Sequence, residues 1–217
     1  MKKFFLLIPL LLLYMSCKES VIKSETASIL AQREQNLSKP DVDYVKLSNK
    51  AEEALRYSKQ NKMNTDFCIL IDMSLHSGVK RFFIWNFKQK KSEGAFLVGH
   101  GCGNFTWSSD ETKDEPQFSN VNDSHLSSLG KYKIGERGYS SWGINVKYLM
   151  HGLEESNSNA LSRVIVFHSW DLMSDDEVFP KGSPEGWGCP TVSNNAMKII
   201  DERLKDAKAP VLMWIYI

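Results

Sequence analysis

The stretch Val164-Ile165-Val166-Phe167-His168-Ser169-Trp170 places an imidazole directly after four apolar residues. An unbroken apolar run is typical of a buried strand, so we expect a strand from Arg163 to His168 that delivers one polar side chain at its end. Further along, Gly186-Trp187-Gly188-Cys189-Pro190 sets a thiol in a turn-forming context, where backbone N–H groups can face a ligand. The two stretches together predict a cysteine nucleophile with a histidine base.

Most of the remaining apolar segments have the composition of strands. We expect strands over residues 67–72, 81–87, 95–99, 131–134, 145–151, 163–168 and 210–217. His76-Ser77-Gly78 supplies turn chemistry between the first two, which predicts an antiparallel pair. The segment from Phe105 to Gly143 is long and rich in Ser, Asp, Asn and Gly, and an irregular stretch of this kind inside a domain is usually functional.

Apolar residues occur at helical spacing in two places. Residues 41–61 predict one or two short helices, with Asp41 or Asp43 as the cap. A second helix runs across residues 196–204, capped by Ser193 or Asn194. The sequence therefore predicts a mainly β fold with a few helices.

Length and charge narrow the classes of function. The chain has 217 residues, 42% of them hydrophobic, which is enough for one sizeable core and one catalytic domain. Its formal net charge is only +1, and no basic patch is interleaved with aromatic residues, so we expect no nucleic-acid partner. We also expect no cofactor, no metal, and a monomer.

The first residues have the features of an export signal. Lys2 and Lys3 precede an apolar run over residues 4–13, which is too short to span a bilayer. The run is followed closely by Ser16-Cys17, which resembles the lipid-attachment site of bacterial lipoproteins. Tyr14 departs from the usual Leu or Val, which leaves a secreted form without lipid as the alternative. We expect a signal peptide over 1–16, lipid attachment at Cys17 with a linker over 17–40, and a catalytic domain over 41–217.

Three cysteines remain after the lipid site, and an odd count in an exported protein leaves at least one thiol free. Cys68 lies in an apolar run and is interpreted as a small buried hydrophobe. Cys102, between two glycines, either pairs with Cys68, lies near the site, or has no special role.

The chemistry expected of the third cysteine, Cys189, is acyl transfer. An imidazole or a set of backbone N–H dipoles lowers the pKa of a thiol and so activates it. His168 would take the proton, a carbonyl or hydroxyl near Ser169 would orient the ring, and the N–H groups of Gly188 and Cys189 would stabilise an oxyanion. Two alternatives compete: a buried histidine with a structural thiol, and a zinc site. The candidate zinc ligands are His100, Cys102, His168 and Cys189.

These residues resemble the His and Ser-x-Gly-Cys signature of the L,D-transpeptidase (YkuD-like) catalytic domain family, in particular its murein L,D-transpeptidase branch. The resemblance runs from about Asp66 to Val192. It is carried by Val98-Gly99-His100-Gly101, Phe118-Ser119-Asn120, Ser127-Ser128-Leu129-Gly130-Lys131-Tyr132, Leu153-Glu154 with Asn157-Ser158-Asn159, Arg163 to His168, and Trp187-Gly188-Cys189-Pro190. The resemblance implies a β-sandwich or barrel-like domain.

The family also implies a reaction and a location. Cys189 would attack a peptidoglycan stem peptide at the L-centre of its third residue, with His168 as base and Gly188 and Trp187 in the oxyanion turn. The terminal D-amino acid leaves, and the acyl group passes to an amine or, in an L,D-carboxypeptidase, to water. The protein would be exported to the cell envelope and lipid-anchored to a membrane that faces the peptidoglycan.

Two residues depart from the family pattern. Gly186 stands where the family usually has Ser, and Ser169 follows the base where the family usually has Gly. These departures leave a non-catalytic peptidoglycan-binding lipoprotein as a further alternative.

Several polar and aromatic residues are candidates for a substrate groove. His100 either lines the pocket or satisfies a buried hydrogen bond, and Ser127 and Ser128 either line the groove or bond their own backbone. Ser169 is a fourth groove candidate because it adjoins the base. Three tryptophans either wall the groove or belong to the core: Trp142, Trp170 and Trp187.

Overall fold

Eight strands and two α-helices make up the fold in the computed structural model, which describes residues 38–217. The strands are β1 (Phe67–Asp72), β2 (Phe82–Asn86), β3 (Lys91–Phe96), β4 (Gly130–Tyr139), β5 (Val146–Gly152), β6 (Val166–Ser169), β7 (Thr191–Val192) and β8 (Leu212–Tyr216). The helices are α1 (Tyr44–Gln60) and α2 (Asn194–Lys205), with a short 3-10 turn at Glu155–Asn157. The predicted signal peptide, the lipid site at Cys17 and nearly all of the predicted linker lie outside the described residues.

The strands form one sheet in the order β3-β2-β1-β8-β4-β5-β6-β7. The pairs β1–β8 and β6–β7 are parallel, and the other neighbours are antiparallel. The sheet curls nearly closed, because the segment after β3 bridges to β7 through Gly99 and Thr191. Phe82 of β2 stacks on Phe167 of β6 at 5.6 Å between ring centroids, across the interior of this barrel-like sheet.

Each helix covers a different face of the sheet. Alternation along β1 separates the two cores: Phe67, Ile69 and Ile71 pack in the same cluster as α2, whereas Cys68 and Leu70 pack in the cluster that contains α1. Both predicted caps are present. The Asp43 carboxylate accepts hydrogen bonds from the N–H groups of Val45 and Lys46, and the Ser193 hydroxyl accepts one from Ala196.

The mainly β fold is confirmed, as are β1 and its antiparallel pairing with β2. One long helix, α1, lies within residues 41–61, where one or two short helices were predicted. The third strand was placed wrongly: it runs over Lys91–Phe96, not 95–99. This is an edge strand with polar, partly exposed side chains, so its composition does not mark it. Apolar Leu97 and Val98 are buried without being in a strand, and the Val98 carbonyl accepts hydrogen bonds from the Arg81 side chain.

Two further boundaries differ, and one strand was missed. β4 extends to Tyr139 through polar residues that the sequence pattern does not mark. β6 begins at Val166 and not at Arg163, because Val164 takes a left-handed φ of 57° that interrupts an extended chain. The two-residue strand β7 was not predicted. Within residues 38–217, no helix combines the length and apolarity needed to cross a membrane.

Candidate active site

The pairing of β6 with β7 brings the predicted base and nucleophile together. His168 is in parallel register with Thr191, and Cys189 lies two residues before Thr191. His168 and Cys189 line one pocket of about 120 Å³. The other residues that line it are Trp107, Trp142, Trp170, Gly186, Trp187 and Thr191. The predicted meeting of a strand end with the thiol turn is therefore what the fold produces.

The His168 ring is held in one tautomer by its own neighbour. Its Nδ1–H donates to the Ser169 carbonyl oxygen at 2.9 Å, which leaves Nε2 as the basic nitrogen. The side chain is buried, and this burial lowers the pKa of the imidazole below its usual value. His168 is therefore neutral at pH 7 and able to accept a proton.

The Cys189 thiol has a different electrostatic setting from the one expected. Its sulfur accepts a hydrogen bond from the Val166 N–H at 3.4 Å. Desolvation raises the pKa of the thiol, and the Val166 N–H together with the positive charges of Arg163 and Lys147 opposes that rise without cancelling it. The expectation of a depressed thiol pKa was wrong, because desolvation outweighs the groups that favour the thiolate. The resting pair is a neutral thiol beside a neutral imidazole.

Glycine is required at position 188 of the thiol turn. Gly188 has a φ of +96°, and a Cβ added there would lie 2.6 Å from the Leu126 carbonyl oxygen. Its own carbonyl accepts a hydrogen bond from the Ser127 hydroxyl at 3.1 Å, and that hydroxyl accepts one from the Gly101 N–H at 3.1 Å. Ser127 is 1% exposed. It holds the turn from beneath and does not line the pocket.

Position 186, where the chain lacks the family's serine, is open. A Cβ added to Gly186 would meet nothing within 4 Å. The backbone there is held on both sides, since the Gly186 N–H donates to the His100 carbonyl and the Cys102 N–H donates to the Gly186 carbonyl, each at 2.7 Å. The absent hydroxyl therefore leaves the path of the turn intact.

Two other predicted groove residues support loops. The Ser128 hydroxyl donates to the Ser119 carbonyl at 2.8 Å and accepts from Arg163 at 2.7 Å. The Ser169 hydroxyl is buried and accepts from the Ile144 N–H at 3.0 Å, so Ser169 serves the site through its carbonyl alone. Neither hydroxyl lines the pocket.

His100 is fully buried and lies outside the pocket. Its ring nitrogens are within 2.8 Å of Arg81 Nη2 and of the Thr112 hydroxyl, so the hydrogen-bonding alternative holds. Among residues 38–217, no group of three or more His, Cys, Asp and Glu side chains is placed to hold a metal ion, which removes the zinc alternative there. Cys68 and Cys102 are both buried free thiols, so they do not pair.

Tryptophans wall the pocket. Of the two alternatives left open for Trp142, Trp170 and Trp187, groove wall or core, all three line the pocket, and Trp170 also belongs to a core cluster. Trp107 was missed, although it lies in the long irregular segment that was expected to be functional. Its ring is 4.8 Å from Trp170 and 6.0 Å from Trp142. Trp187 is 62% exposed and stacks on His125 at 5.2 Å. The available sequence signal for Trp107 was its position between Thr106 and Ser108, where an indole among hydroxyl side chains indicates a surface loop.

Comparisons with known proteins found a family and distant structural neighbours. No curated protein matches the chain. The helical cell shape determining protein Pgp2 from Campylobacter jejuni is similar in structure at 11% identity and a TM-score of 0.43, over 69% of this chain and 46% of Pgp2, so the chain spans about half the length of that relative. An L,D-transpeptidase from Xylanimonas cellulosilytica is similar at 11% identity and a TM-score of 0.36, over 74% of this chain and 68% of that one. The family model YkuD_2, described as the L,D-transpeptidase catalytic domain, matches residues 38–216, and the chain belongs to this family.

Proposed function

We propose that this protein is a peptidoglycan L,D-transpeptidase that works through a thioester on Cys189. The observation that carries the proposal is that Cys189 and His168 line one pocket, with the His168 tautomer set by the Ser169 carbonyl. Membership of the L,D-transpeptidase catalytic domain family supplies the substrate class, the stem peptides of peptidoglycan.

In the first half-reaction, the Cys189 sulfur attacks the carbonyl on the L-centre of the third stem residue while His168 Nε2 takes the thiol proton. The tetrahedral intermediate then collapses: the C–N bond breaks, the nitrogen of the departing D-amino acid takes the proton from His168, and a thioester remains. Because both groups are neutral at rest, proton transfer from Cys189 to His168 belongs to the acylation step and not to the resting protein.

In the second half-reaction, an acceptor amine attacks the thioester and gives a proton to His168. The C–S bond breaks, the new amide forms, and the sulfur recovers the proton. The N–H groups of Gly188 and Cys189 are the proposed oxyanion donors, and the left-handed Gly188 conformation supports this role because it shapes the turn directly before the nucleophile. Removing one such donor typically costs about 10²–10³ in rate.

The tryptophan walls bear on the fate of the thioester. Trp107, Trp142, Trp170 and Trp187 make the lining of the pocket mostly apolar, but three of these four indoles are at least 40% exposed, so the pocket stays open to water. Transfer to an amine and hydrolysis both fit this pocket. L,D-carboxypeptidase action would use the same cysteine and histidine, with water as the acceptor.

The cellular setting is proposed from the sequence. An export signal over residues 1–16 and lipid on Cys17 would hold a monomeric domain in the cell envelope, tethered to a membrane within reach of peptidoglycan. The polar segment that follows Cys17 would supply the reach.

The test is turnover of a purified disaccharide-tetrapeptide, analysed by liquid chromatography and mass spectrometry. We expect the wild-type protein to release the terminal D-amino acid and form a cross-linked dimer, or a tripeptide if water is the acceptor. Cys189→Ala should form neither. Cys102→Ala is the matched control, since it removes another free buried thiol of the same region and should leave turnover intact. Binding to sacculi with no product from the wild-type protein would instead indicate a non-catalytic wall-binding protein.

A further inference from the structure

Four polar side chains form a buried hydrogen-bond network next to the loop that leads to Cys189. Arg81, His100 and Glu185 are each 0% exposed and Thr112 is 8% exposed. None of them lines the pocket that contains Cys189 and His168. Glu185 lies four residues before the nucleophile.

The hydrogen bonds of this network all run from donor to acceptor in one direction, from Arg81 to Glu185. Arginine has only donors, so Arg81 Nη2 donates to His100 Nδ1 at 2.8 Å. The proton of the neutral imidazole must then be on Nε2, which donates to the Thr112 hydroxyl at 2.8 Å. That hydroxyl donates to Glu185 Oε1 at 3.0 Å. The donor and acceptor roles in each hydrogen bond therefore determine those in the next.

At its other end, the network joins Glu185 to the segment that carries Trp107. Glu185 Oε1 accepts the Thr112 N–H at 2.6 Å, the Glu185 N–H donates to the Ser109 carbonyl at 2.8 Å, and the Ser108 N–H donates to the Glu185 carbonyl at 2.9 Å. Trp107 directly precedes Ser108 and forms one wall of the pocket. Glu185 therefore holds that wall.

At its His100 end, the network holds the thiol turn. The His100 carbonyl accepts the Gly186 N–H, and the Gly186 carbonyl accepts the Cys102 N–H, each at 2.7 Å. Positions 185 and 186, which lie four and three residues before Cys189, are thus bonded to two separate loops. The geometry of these loops sets where Cys189 lies relative to Trp107.

Stability does not explain why these groups are polar. Burial raises the pKa of Glu185 and lowers the pKa values of Arg81 and His100, which means that each charged form is costly here. Glu185 Oε2 is buried without a hydrogen-bond partner among the described residues. Well-packed apolar residues are often as stabilising as a buried charged network, whereas hydrogen bonds impose distance and direction.

We propose that Thr112 and Glu185 are positioning residues that set the placement of the Cys189 turn against the Trp107 wall, with His100 and Arg81 orienting them. The proposal rests on the proposed function for its catalytic consequence, but not for its geometry. Misplacement of a reacting group by about 1 Å can cost about 10² in rate, so small movements of the two loops are sufficient.

The test uses Thr112→Val, which keeps the shape but removes the hydroxyl between His100 and Glu185, and Thr112→Ser, which restores it. Asp201→Asn is the matched control, since Asp201 is another buried carboxylate, bonded to Arg137 and Tyr148 away from the pocket. Four quantities are measured on each variant: the melting temperature, the alkylation rate of Cys189 by iodoacetamide, and kcat and KM for the tetrapeptide.

We expect Thr112→Val to lower kcat by about 10-fold or more and to change the alkylation rate, with Thr112→Ser within about threefold of wild type. Asp201→Asn should lower the melting temperature and leave both rates unchanged. If Thr112→Val lowers only the melting temperature, the side chains are merely structural and the proposal is overturned. If the wild type turns over no stem peptide but the alkylation rate still shifts in Thr112→Val alone, positioning stands and the proposed function fails.

Discussion

The α1 face of the sheet and the pocket end of β6 each contain a buried or partly buried cysteine. Cys68 is fully buried in β1, among Leu70, Phe83 and Leu212 of the α1 cluster. Burial alone acts on it and raises its pKa far above the ordinary value. Cys189 is partly exposed in a pocket, accepts an N–H from Val166 and feels two positive charges. Two identical thiols thus differ only in what surrounds them.

The difference shows why Cys189, and not Cys68, is the nucleophile of the proposed reaction. The β1 strand alternates its side chains into two apolar cores, and a cysteine there only fills space. The Cys189 turn lies beside His168 because β6 and β7 pair in parallel, with glycine required at position 188. In the proposed mechanism, reactivity would follow from strand pairing and turn conformation and would not need an unusually acidic thiol.

Replacing each cysteine in turn should separate the two regions most strongly. We expect Cys189→Ala to reduce stem-peptide turnover by about 10³-fold or more, because the covalent route is lost. Cys68→Ala should leave turnover unchanged and destabilise the fold by about 1 kcal/mol through a small cavity. Turnover assays and urea unfolding measure the two effects, and comparable loss of activity in both variants would contradict the distinction.

Removing the base should have the next largest effect. His168→Gln keeps a polar side chain at the end of β6 but cannot take the thiol proton at neutral pH, so we expect a loss of about 10²–10⁴ in kcat. Thermal unfolding of the variant shows whether the strand is intact. A His168→Gln protein that retains wild-type kcat would show that another group activates Cys189.

The two glycines of the thiol turn should respond differently. Gly188→Ala places a Cβ against the Leu126 carbonyl and forces a left-handed φ on alanine, so we expect a loss of about 1–3 kcal/mol in unfolding free energy together with slower acylation. Gly186→Ser adds a hydroxyl into open space, and one further substrate hydrogen bond would raise kcat/KM by up to about 10-fold. Equal tolerance at both positions would contradict the described turn.

The smallest expected effect is the pH dependence of the Cys189 and His168 pair. Because the pKa of Cys189 is raised, its alkylation rate should rise through an inflection above the ordinary cysteine value of about 8.5. Because the pKa of His168 is lowered, its neutral form persists to a lower pH, and the acid limb of acylation should fall below about 6.5. An alkylation inflection well below 8.5 would indicate a pre-formed thiolate.

The sequence predicted those parts of the fold and site that local pattern controls. The apolar β1 strand, the Asp43 and Ser193 caps, and the His168 and Cys189 stretches each carry their signal within a few residues. The Ser169 carbonyl as orienter of the imidazole was also anticipated.

What the sequence could not predict depends on contacts between distant segments. The edge strand β3 is polar, and β7 is defined by pairing alone. For His100 and Ser127 the sequence left a groove position and a hydrogen-bonding role equally open, because the partners that decide between them are supplied by other loops. The sign of the Cys189 pKa shift depended on burial, which only the folded chain reveals.

The central claim, that Cys189 forms an acyl-enzyme with His168 as its base, is tested most directly by intact-mass spectrometry after incubation with a carbapenem. The account predicts one added carbapenem mass on the wild-type protein, located on the Cys189 peptide, a slower gain for His168→Gln, and none for Cys189→Ala. A wild-type protein that stays unmodified, or an adduct that persists in Cys189→Ala, would contradict it.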